Sequence, residues 1–139
     1  MRINWETEEL KPRMKSGDAG IDLRANQACI IEPGETESIE TGVRVEIPDG
    51  WFGLLVPRSS TQLWRLKNTA GVIDSSYRGE ITAIIYNDGI EPIGINLYER
   101  FCQLVVLPHY PLDQIDFADL DQFSTSERST NGFGHSGKY

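Results

Sequence analysis

Short runs of β-branched and aromatic residues, each closed by a turn signal, recur along most of this chain and constrain its fold more than any other feature. They read CIIE, GVRVEIP, WFGLLVP, GVID, EITAIIYN, INLYE and FCQLVVLP, and the breaks between them include EPGE, IPDG, NDG and EPIG. Strand-length runs at this spacing predict an all-β domain, a barrel or sandwich of many short strands. Helical periodicity is nearly absent. The best helix candidate is SSTQLWRL (59–66), with Ser59 or Ser60 as its cap. At 139 residues the chain has the size of one domain, and an apolar content of 39% suffices for a core, which excludes wholesale disorder.

The last stretch, STSERSTNGFGHSGKY (124–139), changes character: serine, threonine and glycine replace the apolar runs. The expected organisation is therefore a β domain over 1–123 and a flexible Gly/Ser-rich arm over 124–139. That arm reads either as a frayed tail or as a segment that orders over a ligand. No apolar run approaches the roughly 20 residues of a membrane helix, and MRINWETEEL has no apolar signal segment. The expectation is a soluble, cytoplasmic protein with no membrane partner. A net charge of −8 without a basic run argues against nucleic acid as a partner. A small polyanion is still compatible, held by a few focused cations, backbone N–H groups and a divalent metal. Cys29 and Cys102 both sit in apolar surroundings and read as buried thiols. They form no CxxC pair, and with only His109 and His135 beside them they offer no zinc pattern.

Four stretches could carry chemistry. GFGHSGKY (132–139) approaches a phosphate-binding Walker loop but puts Tyr139 at the hydroxyl position and lacks the helix that should follow. Its glycine-rich backbone can still offer N–H groups to phosphate oxygens. PRSS (57–60) joins an arginine to two hydroxyls, donors suited either to phosphate or to a helix cap. In AGIDLRA (19–25) a strand would turn Ile21 and Leu23 inward and Asp22 outward, toward solvent or toward a metal and its waters. In GVIDSSYRGEI (71–81) Asp74 follows two apolar residues, so burial is expected. A buried carboxylate suits a general base that activates water, and the alternative is ordinary turn chemistry.

Taken together and in this order, the stretches resemble the five motifs of the trimeric dUTP pyrophosphatases (dUTPases): AGIDLRA, PRSS, KNTAGVIDSSYRGEI, ERFCQLV and RSTNGFGHSG. The resemblance implies a distorted jelly roll assembled as a homotrimer with shared active sites. It implies Mg2+-assisted hydrolysis of dUTP to dUMP and pyrophosphate by water attacking the α-phosphorus, which lowers dUTP and supplies dUMP for dTMP synthesis. By the same resemblance Asp74 is the water-activating carboxylate. Asn68 and the backbone of Gly71, Val72 and Ile73 read uracil, Tyr77 packs under the deoxyribose, and Phe133 stacks on the base. Arg58, Ser59, Ser60, Gln103, Arg128, Gly134 and Ser136 contact phosphates, and Asp22 orders the water shell of the magnesium ion. Ser76 stands where many relatives carry an acid, Ser129 and Asn131 where they carry glycine, and His135 where they carry serine. The dCTP deaminases share this fold and resemble the chain around RSS, but the GVID setting and the tail have the dUTPase form. A regulatory protein partner is left open, and no segment identifies one.

Overall fold

A computed structural model describes residues 1–62, 66–119 and 123–126. Among them the strands are β1 (Arg2–Trp5), β2 (Gly20–Arg24), β3 (Cys29–Ile31), β4 (Thr36–Glu46), β5 (Trp51–Pro57), β6 (Leu66–Ala70), β7 (Val72–Ile73), β8 (Glu80–Asn87), β9 (Ile93–Ile95) and β10 (Arg100–Pro108). One α-helical turn, α1 (Ser59–Gln62), follows β5. One sheet has the order β1-β4-β8-β6, a second the order β2-β10-β5-β7, and β3 pairs with β9. This is the expected all-β jelly roll, with every strand pairing antiparallel.

Alternation builds the core. Along β8, Ile81, Ala83, Ile85 and Asn87 are buried while the residues between them are half-buried or exposed. Ile81, Ala83 and Ile85 meet Leu23, Ile39, Phe101 and Leu104 in one apolar cluster. The two fully buried polar residues of the core, Asn87 and Thr41, are paired, as a dry interior requires. Asn87 Nδ2 donates to the carbonyls of Ile31 (2.8 Å) and Glu91 (2.9 Å), and its Oδ1 accepts from Gly89 N. The Thr41 hydroxyl donates to Ile81 O at 2.7 Å.

Two elements differ from the sequence reading. The helix expected over 59–66 does not include Leu66, which starts β6, pairs with Asn87 and is 2% exposed. Core burial and ladder pairing outweigh the weak helical preference there. The strand expected over INLYE ends at Ile95. Asn96 then donates from both its backbone and its side chain to Glu99 Oε2 (both 2.9 Å), and Tyr98 turns left-handed at φ 64°.

Candidate active site

The second sheet carries most of the expected site, and a bulge arranges half of it. Phe101 and Cys102 are consecutive in β10, yet both are buried. The β10–β2 register slips between Arg100 and Cys102. An extra residue at that point lets two neighbours face inward. Arg100 and Gln103, on either side, then share the outer face with Asp22, which pairs with Gln103 across the ladder. Burial pushes the Cys102 thiol pKa up, and the nearby Asp22 carboxylate adds to the effect.

On that face Asp22 is the hub of an ion cluster. Arg58 Nε donates to Asp22 Oδ1 at 2.8 Å and Arg100 Nη1 to Oδ2 at 2.9 Å. Arg58 Nη1 also donates to Arg100 O at 3.0 Å, so Arg100 grips Asp22 with its side chain and Arg58 with its backbone. Of the two alternatives for an outward Asp22, the simple solvent-facing one does not hold: its side chain is 20% exposed and each of its oxygens accepts from a guanidinium. Arg58, Ser59, Asp22 and Gln103 line one polar recess of about 270 Å³, with Asp18, Ala19 and Gly20 completing it. Gly20 leaves room for the Gln103 amide, since a Cβ there would overlap Gln103 Oε1 and push the side chain aside. Gln103 Nε2 donates to Pro57 O at 3.2 Å. Ser59 and Ser60 open α1 and are exposed.

The other expected residues sit on the hairpin around β7. Gly71 O accepts from Leu55 N at 2.8 Å, and Asn68 Nδ2 donates to Leu55 O at 2.7 Å. A Cβ on Gly71 would come within 2.8 Å of Leu55 O and 2.9 Å of Asn68 Nδ2, so the hairpin backbone lies tight on β5 only because residue 71 is glycine. Asn68 Oδ1 is buried and, among the described residues, unpaired. The turn after β7 closes through main chain, Tyr77 N donating to Asp74 O at 3.1 Å. Asp74 itself is exposed, and Val72 before it is 65% exposed, while Ile73 is buried. The expectation of a buried Asp74 is therefore wrong for a single chain. Only one of the apolar pair can face inward in a strand, and the turn carries Asp74 past the sheet.

The two halves do not meet within one chain. In the order β2-β10-β5-β7, Asp22 and the hairpin occupy opposite edges, three strand spacings or about 14 Å apart. Along β5, Gln103 is level with Val56 while Ile73 is level with Gly53, which puts Asp74 near Phe52. That offset of four residues adds about 14 Å along the strand, for a diagonal of about 20 Å. Linked phosphates on Arg58 cannot bridge that distance to Asp74 of the same chain.

Arg128, Phe133, Gly134 and Ser136 lie outside the described residues. Sequence reasoning missed Asp18 in the recess and Arg100, which holds Asp22 and Arg58 from beside it. The signal for Arg100 was a charged residue directly before two consecutive apolar residues inside a strand, which marks a bulge. Among the described residues no group of three or more His, Cys, Asp or Glu side chains could hold a metal ion. The recess does hold two carboxylates, Asp18 and Asp22. That donor set fits a magnesium ion carried chiefly by phosphates and water, with protein carboxylates in support. Among the described residues no helix is long and apolar enough to cross a membrane.

Comparison with known proteins adds three findings. A family model described as dUTPase matches residues 7–137. The deoxyuridine 5'-triphosphate nucleotidohydrolase of Escherichia phage T5 is 47% identical, over 99% of this chain and 98% of its own length. That of Psychromonas ingrahamii is 42% identical over 89% and 84%. Among solved structures, a Staphylococcus bacteriophage 80alpha dUTPase with dUPNHPP superposes with a TM-score of 0.85 at 28% identity, covering 98% of this chain and 97% of that one.

Proposed function

The chain belongs to the dUTPase family, and from that membership we propose that it is a dUTP diphosphatase using Asp74 as the base. It hydrolyses dUTP to dUMP and pyrophosphate. The observation that carries the finer reading is the recess in which Asp22 and Arg100 fix Arg58 beside Ser59 and Gln103. Those donors suit the phosphates of the substrate. Arg128, Gly134 and Ser136 of the arm (124–139) complete their neutralisation in this reading, and Phe133 covers the base.

In the proposed reaction Asp74 takes a proton from water. The water oxygen bonds to the α-phosphorus, the bond from that phosphorus to the bridging oxygen breaks, and pyrophosphate leaves with the electron pair. General-base assistance is worth about 10²–10⁴ in rate. The rest of the acceleration comes from holding the phosphates in line and spreading their charge over fixed donors. Magnesium, when bound with the substrate phosphates near Asp18 and Asp22, supplies further neutralisation of the charge on the leaving group.

The edge-to-edge separation supports a homotrimer with shared sites, in which the Asp74 hairpin of one subunit faces the Arg58 recess of another. A neighbouring subunit would then supply the burial that Asp74 lacks in the single chain. The hairpin fits a uracil reader: Gly71 keeps the backbone tight, and the unpaired Asn68 Oδ1 is an acceptor for which the N3–H of uracil is a matching donor. Cytosine carries no hydrogen at that nitrogen. The substrate belongs to the cytoplasmic nucleotide pool, where we place the enzyme.

The test is a magnesium-dependent hydrolysis panel over the deoxynucleoside triphosphates and UTP, with Asp74→Asn alongside. Pyrophosphate released from dUTP far faster than from any other nucleotide, and turnover reduced by about 10²–10⁴ in a variant that still binds dUTP, are expected. Ammonia from dCTP overturns the reading.

A further inference from the structure

Gly79 has no conformational reason to be glycine. Its φ lies outside the left-handed region that favours this residue. What it provides is space. A Cβ at position 79 would overlap Tyr77 Oη and sit 2.5 Å from Cζ and 2.9 Å from Cε2. The Tyr77 ring therefore lies directly on the backbone at residue 79. Its hydroxyl donates to Glu80 O at 2.9 Å, at the first residue of β8. Glu80 is itself held, since its Oε1 accepts from Gly42 N at 2.5 Å and it pairs with Arg44 across the β4–β8 ladder. The backbone on either side of the ring is pinned as well, Arg78 Nη1 donating to Ser75 O (2.6 Å) and Tyr77 O (2.9 Å). The residue is nonetheless 44% exposed, so the ring offers an open surface from a fixed position.

We propose that Gly79 is a specificity-determining residue, which sets deoxyribose against ribose by letting the Tyr77 ring lie down and anchor on Glu80. The inference rests on the reading of Tyr77 as the surface beneath the sugar. A surface rejects one extra hydroxyl only if it cannot yield. With alanine at 79 the overlapping ring atoms must retreat by about 1 Å to reach ordinary contact distance. The bond from Tyr77 Oη to Glu80 O cannot survive that retreat, and a ring that has lost its anchor can give way to a 2′-hydroxyl. The ring is the far end of a rotatable side chain, so the substitution displaces it without requiring the fold to change.

The experiment measures kcat/KM for dUTP and for UTP on the same preparations of the unaltered protein, Gly79→Ala, Tyr77→Phe and Tyr77→Ala. The ratio of the two values cancels any inactive fraction. Tyr77→Ala, having no ring, marks the floor of discrimination. Gly79→Ala should lower the dUTP:UTP ratio at least tenfold toward that floor. Tyr77→Phe, which removes the anchor without adding a clash, should lower it in the same direction by less, and it carries the test if Gly79→Ala fails to fold. A ratio within twofold of the unaltered protein in both Gly79→Ala and Tyr77→Phe, while Tyr77→Ala loses selectivity, overturns the role of Gly79 and leaves the function standing. Unchanged selectivity in Tyr77→Ala overturns the sugar surface and this inference with it. Failure of the unaltered protein to hydrolyse dUTP overturns the parent reading.

Discussion

Replacing Asp22 with asparagine should destabilise the protein well beyond what a surface ion pair is worth. The carboxylate accepts from Arg58 at 2.8 Å and from Arg100 at 2.9 Å. Asparagine keeps the shape but replaces one oxygen with an NH2 group, which would point hydrogens at a guanidinium that also only donates. Arg58 and Arg100 would then lose the anion that bridges them. The side chains of Asp22, Arg58 and Arg100 are 20%, 24% and 36% exposed. The cluster therefore lies between an exposed pair, worth about 0–1 kcal/mol, and a buried one, whose breaking costs about 3–5 kcal/mol. The expected loss is about 2–3 kcal/mol, the exposure taking it below the buried limit. Urea unfolding at a fixed protein concentration measures it, the concentration being held because assembly contributes to apparent stability. In an Arg100→Met background the same substitution should cost about 1 kcal/mol less, because only one cation is left uncompensated. A loss below about 0.5 kcal/mol, or equal losses in the two backgrounds, refutes the hub role.

Cys102 should make the protein alkali-sensitive. Its thiol is pushed up by burial and stays protonated in the fold, whereas an unfolded thiol ionises near pH 8.5. The unfolded chain then binds fewer protons, so stability is complete below about pH 8.5 and falls by about 1.4 kcal/mol per unit above it; a pH series of unfolding midpoints in which Cys102→Ala shows the same fall as the unaltered protein contradicts this. At position 98, where φ is 64°, Tyr98→Gly should be more stable than Tyr98→Ala by about 1 kcal/mol, because both lose the ring and only alanine carries the left-handed strain; the reverse order of thermal midpoints would show that the turn relaxes. Truncation after Ser124 should leave the fold and assembly intact, by circular dichroism and sedimentation, with dUTP hydrolysis reduced at least tenfold; full activity would make residues 125–139 a mere tail.

The strands of this fold were legible where one residue in two faces the core, as in EITAIIYN, which became β8. They were not legible where pairing alone decides. RINW became β1 through its ladder with β4, its alternation running over four residues only, and KNTA became part of β6 through its ladder with β8 without a clear alternation. In the site, motif order brought out Asp22, Arg58, Ser59 and Gln103 together, and the fold does gather them. Arg100 escaped because its position depends on a bulge, which shifts the inside–outside phase of β10 by one residue. The burial of Asp74 was misjudged for a related reason. Two apolar neighbours, Val72 and Ile73, suggested a wall, but Val72 faces outward. If a second subunit provides what covers it, no periodicity within one chain could have revealed that surface.

The separation of Asp74 from the Arg58 recess makes the shared site testable without a structure of the assembly. Asp74→Asn removes the proposed base and leaves the recess; Arg58→Met disables the recess and leaves the proposed base. If each site took both parts from one chain, a mixture of the two inactive variants would stay inactive at every ratio. If the hairpin of one subunit serves the recess of the next, a mixed assembly contains some sites with an intact hairpin from the Arg58→Met chain and an intact recess from the Asp74→Asn chain. With random assembly at equal amounts, each half is intact in half of the cases, so about a quarter of the sites should be whole. Co-refolding the two variants at 1:1 should therefore restore about a quarter of the unaltered activity, with an optimum at equal amounts. The sheet order predicts this outcome, because antiparallel pairing fixes β2 and β7 at opposite edges and no side-chain rearrangement spans the two strands between them. Activity that stays at the sum of the two separate variants at all ratios, in assemblies shown to be mixed, would mean that Asp74 reaches the recess of its own chain and that the edge-to-edge argument fails.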